Sequence, residues 1–378
     1  MNSKLPHLET TIFTVMSKLA NEHQAINLAQ GFPDFEPHSS LIESLNYYSY
    51  KNYNQYAPMI GVEKLRNFIA EKVERAHQGI YHPEQEITIT NGASQAIFTA
   101  IAAVIEKGDE VIIFEPAYDL YKPAVEMFGG IVKPIRLTYP DYQIDYNVLK
   151  ATVTDQTKLI IFNNPNNPSG KIFKAEDLIQ IETILKDKNC YIISDEVYEH
   201  MTFDEQEHQS FARIPSLKDR TFITASFGKL CHVTGWKVGY VLAGAELMKE
   251  FRKVHQFNVF CVHTPSQYAI ADYLEDEHNY LELNDFFQKK RDYFTKGLAS
   301  TQFELIPAEG TYFVSARYSN YSDQTDKTFA QELTKHHKVA TIPFSAFYHD
   351  AFDEKVIRFC FAKQKETLDA ALERLISL

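Results

Sequence analysis

Lys229, Asp195, Tyr198, Asn167, Tyr118 and Ser94 each stand just beyond a short run rich in Ile, Val or Thr. The runs are EITIT from Glu86, EVIIF from Glu110, KLIIF from Lys158, CYIIS from Cys190 and TFITAS from Thr221. If each run is a strand of a parallel sheet, the residues after it share the rim where such sheets bind ligands. An amine, a carboxylate, two phenols, an amide and a hydroxyl would then face one space. A pyridoxal phosphate site asks for this set: an amine for the Schiff base, an acid opposite the ring nitrogen and an anion site for the phosphate.

Lys229 can supply the amine, with burial near other cations lowering its pKa. Asp195 can keep the ring nitrogen protonated. Asn167 and Tyr198 can donate to the phenolic oxygen, and Tyr118 can stack on the ring. A helix starting near Ala93 offers unpaired N–H groups and its positive end to the phosphate, with Ser94, Ser226 and Lys237 adding two hydroxyls and a charge.

Singly, these residues carry blander readings. A strand-end Asp195 is more often a helix N-cap, and Tyr118 and Tyr198 are more often core aromatics. Asn167-Pro168-Ser169-Gly170 is a turn, and Lys229 a surface lysine. Arg358, inside an apolar run, already asks for an anionic partner. Their joint placement at successive strand ends favours the cofactor site.

The elements that must position these groups are legible from periodicity. A sixth run, VGYVLAG from Val238, joins the other five, and short Ile/Val-rich runs suit strands covered on both faces. In SQAIFTAIAAVIEKG, Ala96, Ile97, Ala100, Ile101, Val104 and Ile105 share one helical face, with Gly108 expected to cap the end. Alternating strands and helices predict an α/β layer. From about Glu246 the pattern predicts one long amphipathic helix continuing through Phe294. TYFVSARY, VATIPF, VIRFCFA and a closing helix KETLDAALERLISL then suggest a smaller α+β domain.

Seven ordered segments make the chain resemble the class I/II aminotransferases of fold type I, in the kynurenine/glutamine transaminase branch and nearest its methionine-preferring bacterial members. They are NLAQGFPDF (27–35), NQYAPMIGVEKLR (54–66), NNPNNPSG (163–170), SDEVYEH (194–200), SFGKLCHVTGWKVGY (226–240), PAEGTYF (307–313) and VIRFCFAK (356–363). The resemblance implies a mostly parallel seven-stranded sheet in a large cofactor-binding domain (41–285). An N-terminal arm shared with the small domain (1–40) and a small C-terminal domain (286–378) complete the division. It also implies that Lys229 carries the cofactor and moves the Cα proton, and that Arg358, Asn167 and the Gly31 backbone hold the substrate carboxylate. Tyr56 would reach the neighbouring subunit's phosphate in a homodimer. Phe13, Phe32 and Phe260 would surround the substrate side chain, Phe260 from the partner. Lys237 stands where many class I members have arginine, and His232 where a small residue is commoner.

Composition bounds the alternatives. Lys+Arg 38 against Asp+Glu 50 gives −12, which disfavours non-specific binding to nucleic acid or anionic membrane. No apolar run approaches the roughly 20 residues of a membrane span. Cys190, Cys231, Cys261 and Cys360 form no C-x-x-C pair, and the first residues lack a signal-peptide profile, so a cytoplasmic protein is expected. The 14 histidines show no metal-ligand spacing, and no dinucleotide or P-loop motif is present, so no metal is expected. The expected reaction is ping-pong transamination of methionine and aromatic or neutral amino acids. A β-lyase acting on cysteine S-conjugates is the alternative on the same site. The effector half of a transcriptional regulator and a Claisen-type synthase are weaker, because no segment asks for either.

Overall fold

The computed structural model describes residues 3–378. Seven strands form one sheet: β1 (Ile87–Thr90), β2 (Glu110–Glu115), β3 (Ile131–Arg136), β4 (Thr157–Asn163), β5 (Tyr191–Asp195), β6 (Thr221–Ser226) and β7 (Gly239–Leu242). Their spatial order is β1-β7-β6-β5-β4-β2-β3. All neighbours are parallel except β7, which runs antiparallel to both β1 and β6. The six Ile/Val-rich runs are all strands, buried along nearly their whole length as two-sided coverage requires.

β3 has no counterpart in the sequence expectation. IVKPIR is an edge strand, largely solvent-facing and carrying Pro134, which an edge tolerates because one side of the strand needs no donor. Two helix expectations also change. The helix Gly92–Val104 ends at an extended Ile105, and Gly108, at φ +97, makes the turn into β2 instead of capping. The predicted long helix is four: Ala245–Asn258, Thr264–Tyr273, His278–Leu281 and Leu283–Leu298. The first break places Phe260 at φ +68, and Pro265 opens the next helix, where its missing N–H costs nothing.

A second, antiparallel sheet orders Ile342–Pro343, Val356–Cys360, Phe313–Arg317 and Glu304–Ile306 side by side. Register sets Arg358 between Ser315 and Ile342, on the central pair of strands. The chain around residues 26–35 is sewn to this sheet. Ile26–Asn27 pairs in parallel with Val339–Ala340, and the Cys360 N–H donates to the Leu28 carbonyl at 2.8 Å. That strap brings Gly31 over the rim of the large sheet. A cavity opens there.

Candidate active site

The cavity encloses about 240 Å³, and the ends of β4, β5 and β6 supply Asn163, Asp195 and Ser226 to its wall. In-register pairing puts Asp195 beside Asn163 on one side and Thr224 on the other, so the strands align these groups by backbone geometry. A helical turn, Phe227–Leu230, follows β6 directly and turns Lys229 inward.

The Lys229 amine donates to the Gly31 carbonyl at 2.9 Å and to the Tyr312 hydroxyl at 2.6 Å. Burial lowers its pKa to about 8; Arg358 and Lys237 add to that push, while Cys360 and Asp195 oppose it. A neutral amine is therefore accessible near physiological pH, as a nucleophile and base requires. Asp195 is buried as well, and burial raises its carboxyl to about 6 against the opposing hydrogen bonds. Those bonds come from the Tyr121 hydroxyl at 2.6 Å and the Val197 N–H at 3.3 Å. A carboxylate desolvated this way gains strongly from a cationic ring nitrogen placed beside it.

At the opposite wall, Gly92, Ala93 and Ser94 open the helix Gly92–Val104, and no side chain caps its first turn. Lys237 lies close: a Cβ on Gly92 would stand 3.3 Å from its Nζ, and Gly92 itself sits at φ +73. Free N–H groups, the helix's positive end, a lysine and the Ser94 and Ser226 hydroxyls make an anion cradle. Tyr118 lines the cavity between cradle and carboxylate, with burial, then Asp119, raising its pKa. This donor set fits pyridoxal phosphate: an anion seat, an aromatic face, a buried acid and a buried amine.

Arg358 closes the other end. Its Nη1 donates to the Asn167 amide oxygen at 2.5 Å and its Nη2 to the Ala29 carbonyl at 3.1 Å. Among the described residues its buried Nε has no partner, a donor left open. The guanidinium lies 3.8 Å from the Phe313 ring centre, 5.1 Å from Phe347 and 5.5 Å from Phe13. Burial lowers its pKa to about 10, which still leaves it charged at neutral pH.

Lys229, Asp195, Tyr198, Ala93, Ser94, Tyr118, Asn167, Ser226, Lys237, Gly31, Arg358 and Phe13 all line this one cavity. Phe32, Tyr56 and Phe260 do not. Phe32 is 45% exposed, its carbonyl held by the Lys363 ammonium at 2.7 Å. Tyr56 is 82% exposed and packs against Phe260, ring centres 5.4 Å apart, on the outer surface of this chain. Sequence reasoning missed Tyr121, Tyr312, Asn163 and Phe313. Tyr312 and Phe313 belong to PAEGTYF, a segment quoted for the resemblance but given no role.

The model of the aminotransferase class I and II family matches residues 23–375. The chain belongs to that family. Over all of this chain and 98% of its own length, methionine aminotransferase of Escherichia coli (strain K12) is 47% identical. Kynurenine–oxoglutarate transaminase 1 of Rattus norvegicus is 32% identical over 98% of this chain and 96% of its own length. An E. coli crystal structure reported with a methionine aminotransferase function superposes with a TM-score of 0.98 at 46% identity, covering 100% of this chain and 99% of the other. N-succinyldiaminopimelate aminotransferase of Mycobacterium tuberculosis superposes with a TM-score of 0.95 at 34% identity and the same coverage. The protein is an aminotransferase of fold type I, dependent on pyridoxal phosphate.

Proposed function

We propose that this aminotransferase moves the amino group of methionine and of aromatic or other neutral amino acids to a 2-oxo acid, by a ping-pong cycle through Lys229. The observation that carries the reading is the buried Lys229 amine, hydrogen-bonded to a carbonyl and a hydroxyl in the cavity that Asp195 also lines. When bound, pyridoxal phosphate supplies a ring that draws electrons from the substrate Cα. Arg358 and Asn167 hold the donor's carboxylate, with the open Arg358 Nε as the spare hydrogen-bond site. Lys229 Nζ takes the Cα proton and later gives it up again. Asp195 keeps its negative charge against the ring nitrogen, and Tyr121 and Val197 hold that carboxylate still. Tyr198, fully buried, keeps its hydroxyl proton because burial raises its pKa. Ser94, Ser226, Lys237 and the helix start seat the phosphate.

The substrate preference rests on the wall. Its three cations, Lys229, Lys237 and Arg358, each have a task, and Phe13, Ile97 and Phe313 are apolar. A second carboxylate, as in aspartate, would lie against rings, whereas a thioether or an aromatic side chain gains by burial there. The E. coli relative named for methionine supports the same choice.

We also infer a two-fold homodimer, because Tyr56, Phe257 and Phe260 form an exposed aromatic surface suited to a second copy. Phe260 and Tyr56 would then complete the neighbour's site. We keep the division into 1–40, 41–285 and 286–378; the packing of Gly297, on helix Leu283–Leu298, against Leu372 supports counting that helix with the last unit. Four free cysteines suit a reducing cytoplasm. Among the described residues no helix is long and apolar enough to cross a membrane.

The test is a panel of amino donors against one oxo-acid acceptor. Methionine and phenylalanine are expected to turn over faster than aspartate, and the reverse order overturns the substrate assignment. Pyruvate released from a cysteine S-conjugate without any acceptor would reveal β-lyase chemistry.

A further inference from the structure

The Tyr312 side chain is fully buried, and neither the cofactor cradle nor the substrate clamp described above uses it. Its hydroxyl donates to the Gly31 carbonyl. The hydroxyl's one hydrogen is thereby committed, so toward Lys229, 2.6 Å away, its oxygen can only accept. Gly31 accepts from the same amine at 2.9 Å through its second lone pair. Lys229, Tyr312 and Gly31 thus form a closed triangle of hydrogen-bonding groups.

We propose that Tyr312 is a positioning residue for Lys229: together with the Gly31 carbonyl it takes up two of the amine's hydrogens whenever Lys229 is not bonded to the cofactor. This deepens the assignment of Lys229 made above and rests on it. A neutral amine has two hydrogens and one lone pair. With both hydrogens held, the lone pair is the one position left on nitrogen. When the donor displaces Lys229, a four-carbon side chain would otherwise sample many rotamers. Here it is parked beside the place where the Cα proton must leave. The nitrogen lone pair then forms the new N–H bond as the Cα–H bond breaks, the bonding electrons staying with the substrate. Return of the same proton restores the parked amine.

Packing fixes the parking place. The Tyr312 ring is wedged edge-on against Tyr198 and Phe313, at centre distances of 5.2 and 4.9 Å. Gly31 is seated so closely that a Cβ there would come within 2.8 Å of the Phe313 ring. Burial raises the Tyr312 pKa well above its ordinary value, so the hydroxyl stays neutral and takes no proton away from the chemistry. Among the described residues the hydrogen bonds of the Lys229 amine go to this carbonyl and this hydroxyl and to no carboxylate.

Tyr312→Phe removes one oxygen and keeps the ring. In the cofactor-free variant, acetylation of Lys229 by acetic anhydride across pH, read from its peptide by mass spectrometry, should show a midpoint lowered by roughly half a unit to one unit, since a lost acceptor favours the neutral amine. In the loaded variant, the single half-reaction with α-deuterated methionine should slow by about 100-fold, as misplacement of a reacting group does, with a larger isotope effect than in the wild type. Binding of a donor with a methyl group in place of the Cα hydrogen should stay unchanged. A labelling midpoint or an isotope effect at its wild-type value overturns the proposal. Should the variant not fold, wild-type protein carrying 3-fluorotyrosine gives the same answer. The fluorine signal of Tyr312 must follow the titration of Lys229 in the cofactor-free protein and lose that response in Lys229→Ala. A Lys229→Ala protein that still binds pyridoxal phosphate covalently defeats the parent assignment as well, whereas its failure to do so beside a normal Tyr312→Phe defeats this inference alone.

Discussion

Two buried lysines lie on either side of the segment Asp195–His200, and they are treated in opposite ways. Lys72 donates to the Glu199 carboxylate at 2.6 Å and to the Tyr240 hydroxyl at 2.7 Å. Burial would raise the Glu199 pKa, but Lys72, His200 and His77 outweigh it and hold that carboxyl well below its usual range. Glu196 is satisfied in the same way, by His208 at 2.8 Å and Ser194 at 2.7 Å. Among the described residues Lys229 has only a carbonyl and a neutral hydroxyl. One short segment, Asp-Glu-Val-Tyr-Glu-His, thus sends Asp195 and Tyr198 to the cavity and Glu196 and Glu199 to a closed ion cluster. Pairing a buried charge fixes structure; withholding the partner leaves a group whose protonation can change.

The largest expected contrast is between truncations of the two lysines. Lys229→Ala should reduce transamination by about 10⁴-fold or more, the upper end of what a lost proton-transfer group costs, and should abolish covalent cofactor binding. Its thermal midpoint should match or exceed that of the wild-type cofactor-free protein, because an uncompensated buried amine has gone. Lys72→Ala should do the reverse. Leaving the Glu199 carboxylate buried without its ammonium partner costs about 3–5 kcal/mol, read by urea denaturation, while the folded fraction keeps near-normal kcat. Equal stability losses in the two variants would break the comparison.

The same contrast explains what the sequence made legible. Strand-end groups such as Asp195, Asn167 and Lys229 announce themselves because each follows a run whose Ile and Val content marks a covered strand. Tyr121 and Tyr312 do not, since a tyrosine within an apolar stretch reads as core. Only packing brings Tyr121 to Asp195, and Tyr312 to Lys229, across long separations in the chain. Strand β3 was hidden by Pro134 and by an exposure pattern with no clean alternation. The broken helix after Asn258 was hidden by apolar spacing that continues across the break, where Phe260 turns the backbone left-handed. Tyr56 and Phe260 face outward here, so their expected roles depend on a second copy of the chain.

A pH series sharpens the contrast next. Burial lowers the Lys229 pKa from 10.5 to about 8, so the folded cofactor-free protein binds fewer protons than the unfolded chain between those values. The cost of burying the ammonium is fully present below pH 8 and fades as pH rises toward 10.5. Wild-type stability should therefore rise relative to Lys229→Met across that window, by up to about 3 kcal/mol. Denaturation at several pH values tests it. Parallel curves for the two proteins would mean that Lys229 is not held neutral by the fold.

The smallest expected effect concerns another buried cation, Arg358, which is neither fully paired like Lys72 nor left without a partner type like Lys229. Two of its nitrogens are engaged by Asn167 and Ala29, and Nε is open. Its planar group lies over Phe313 at 3.8 Å, an arrangement suited to a delocalised cation. Arg358→Lys keeps the charge and removes the fork and the flat face. A point ammonium can still attract a carboxylate, but it cannot serve Asn167, Ala29 and the substrate in one plane. The value of kcat/KM for methionine should fall by roughly 10- to 100-fold, the worth of one charge-assisted hydrogen bond, with KM changing more than kcat. The amine that methionine leaves on decarboxylation gives the control, since it offers nothing for residue 358 to grip. The preference for methionine over that amine should shrink in Arg358→Lys by the same factor that kcat/KM falls. An undiminished preference would place the substrate carboxylate elsewhere and leave Arg358 as a structural cation of the Lys72 kind.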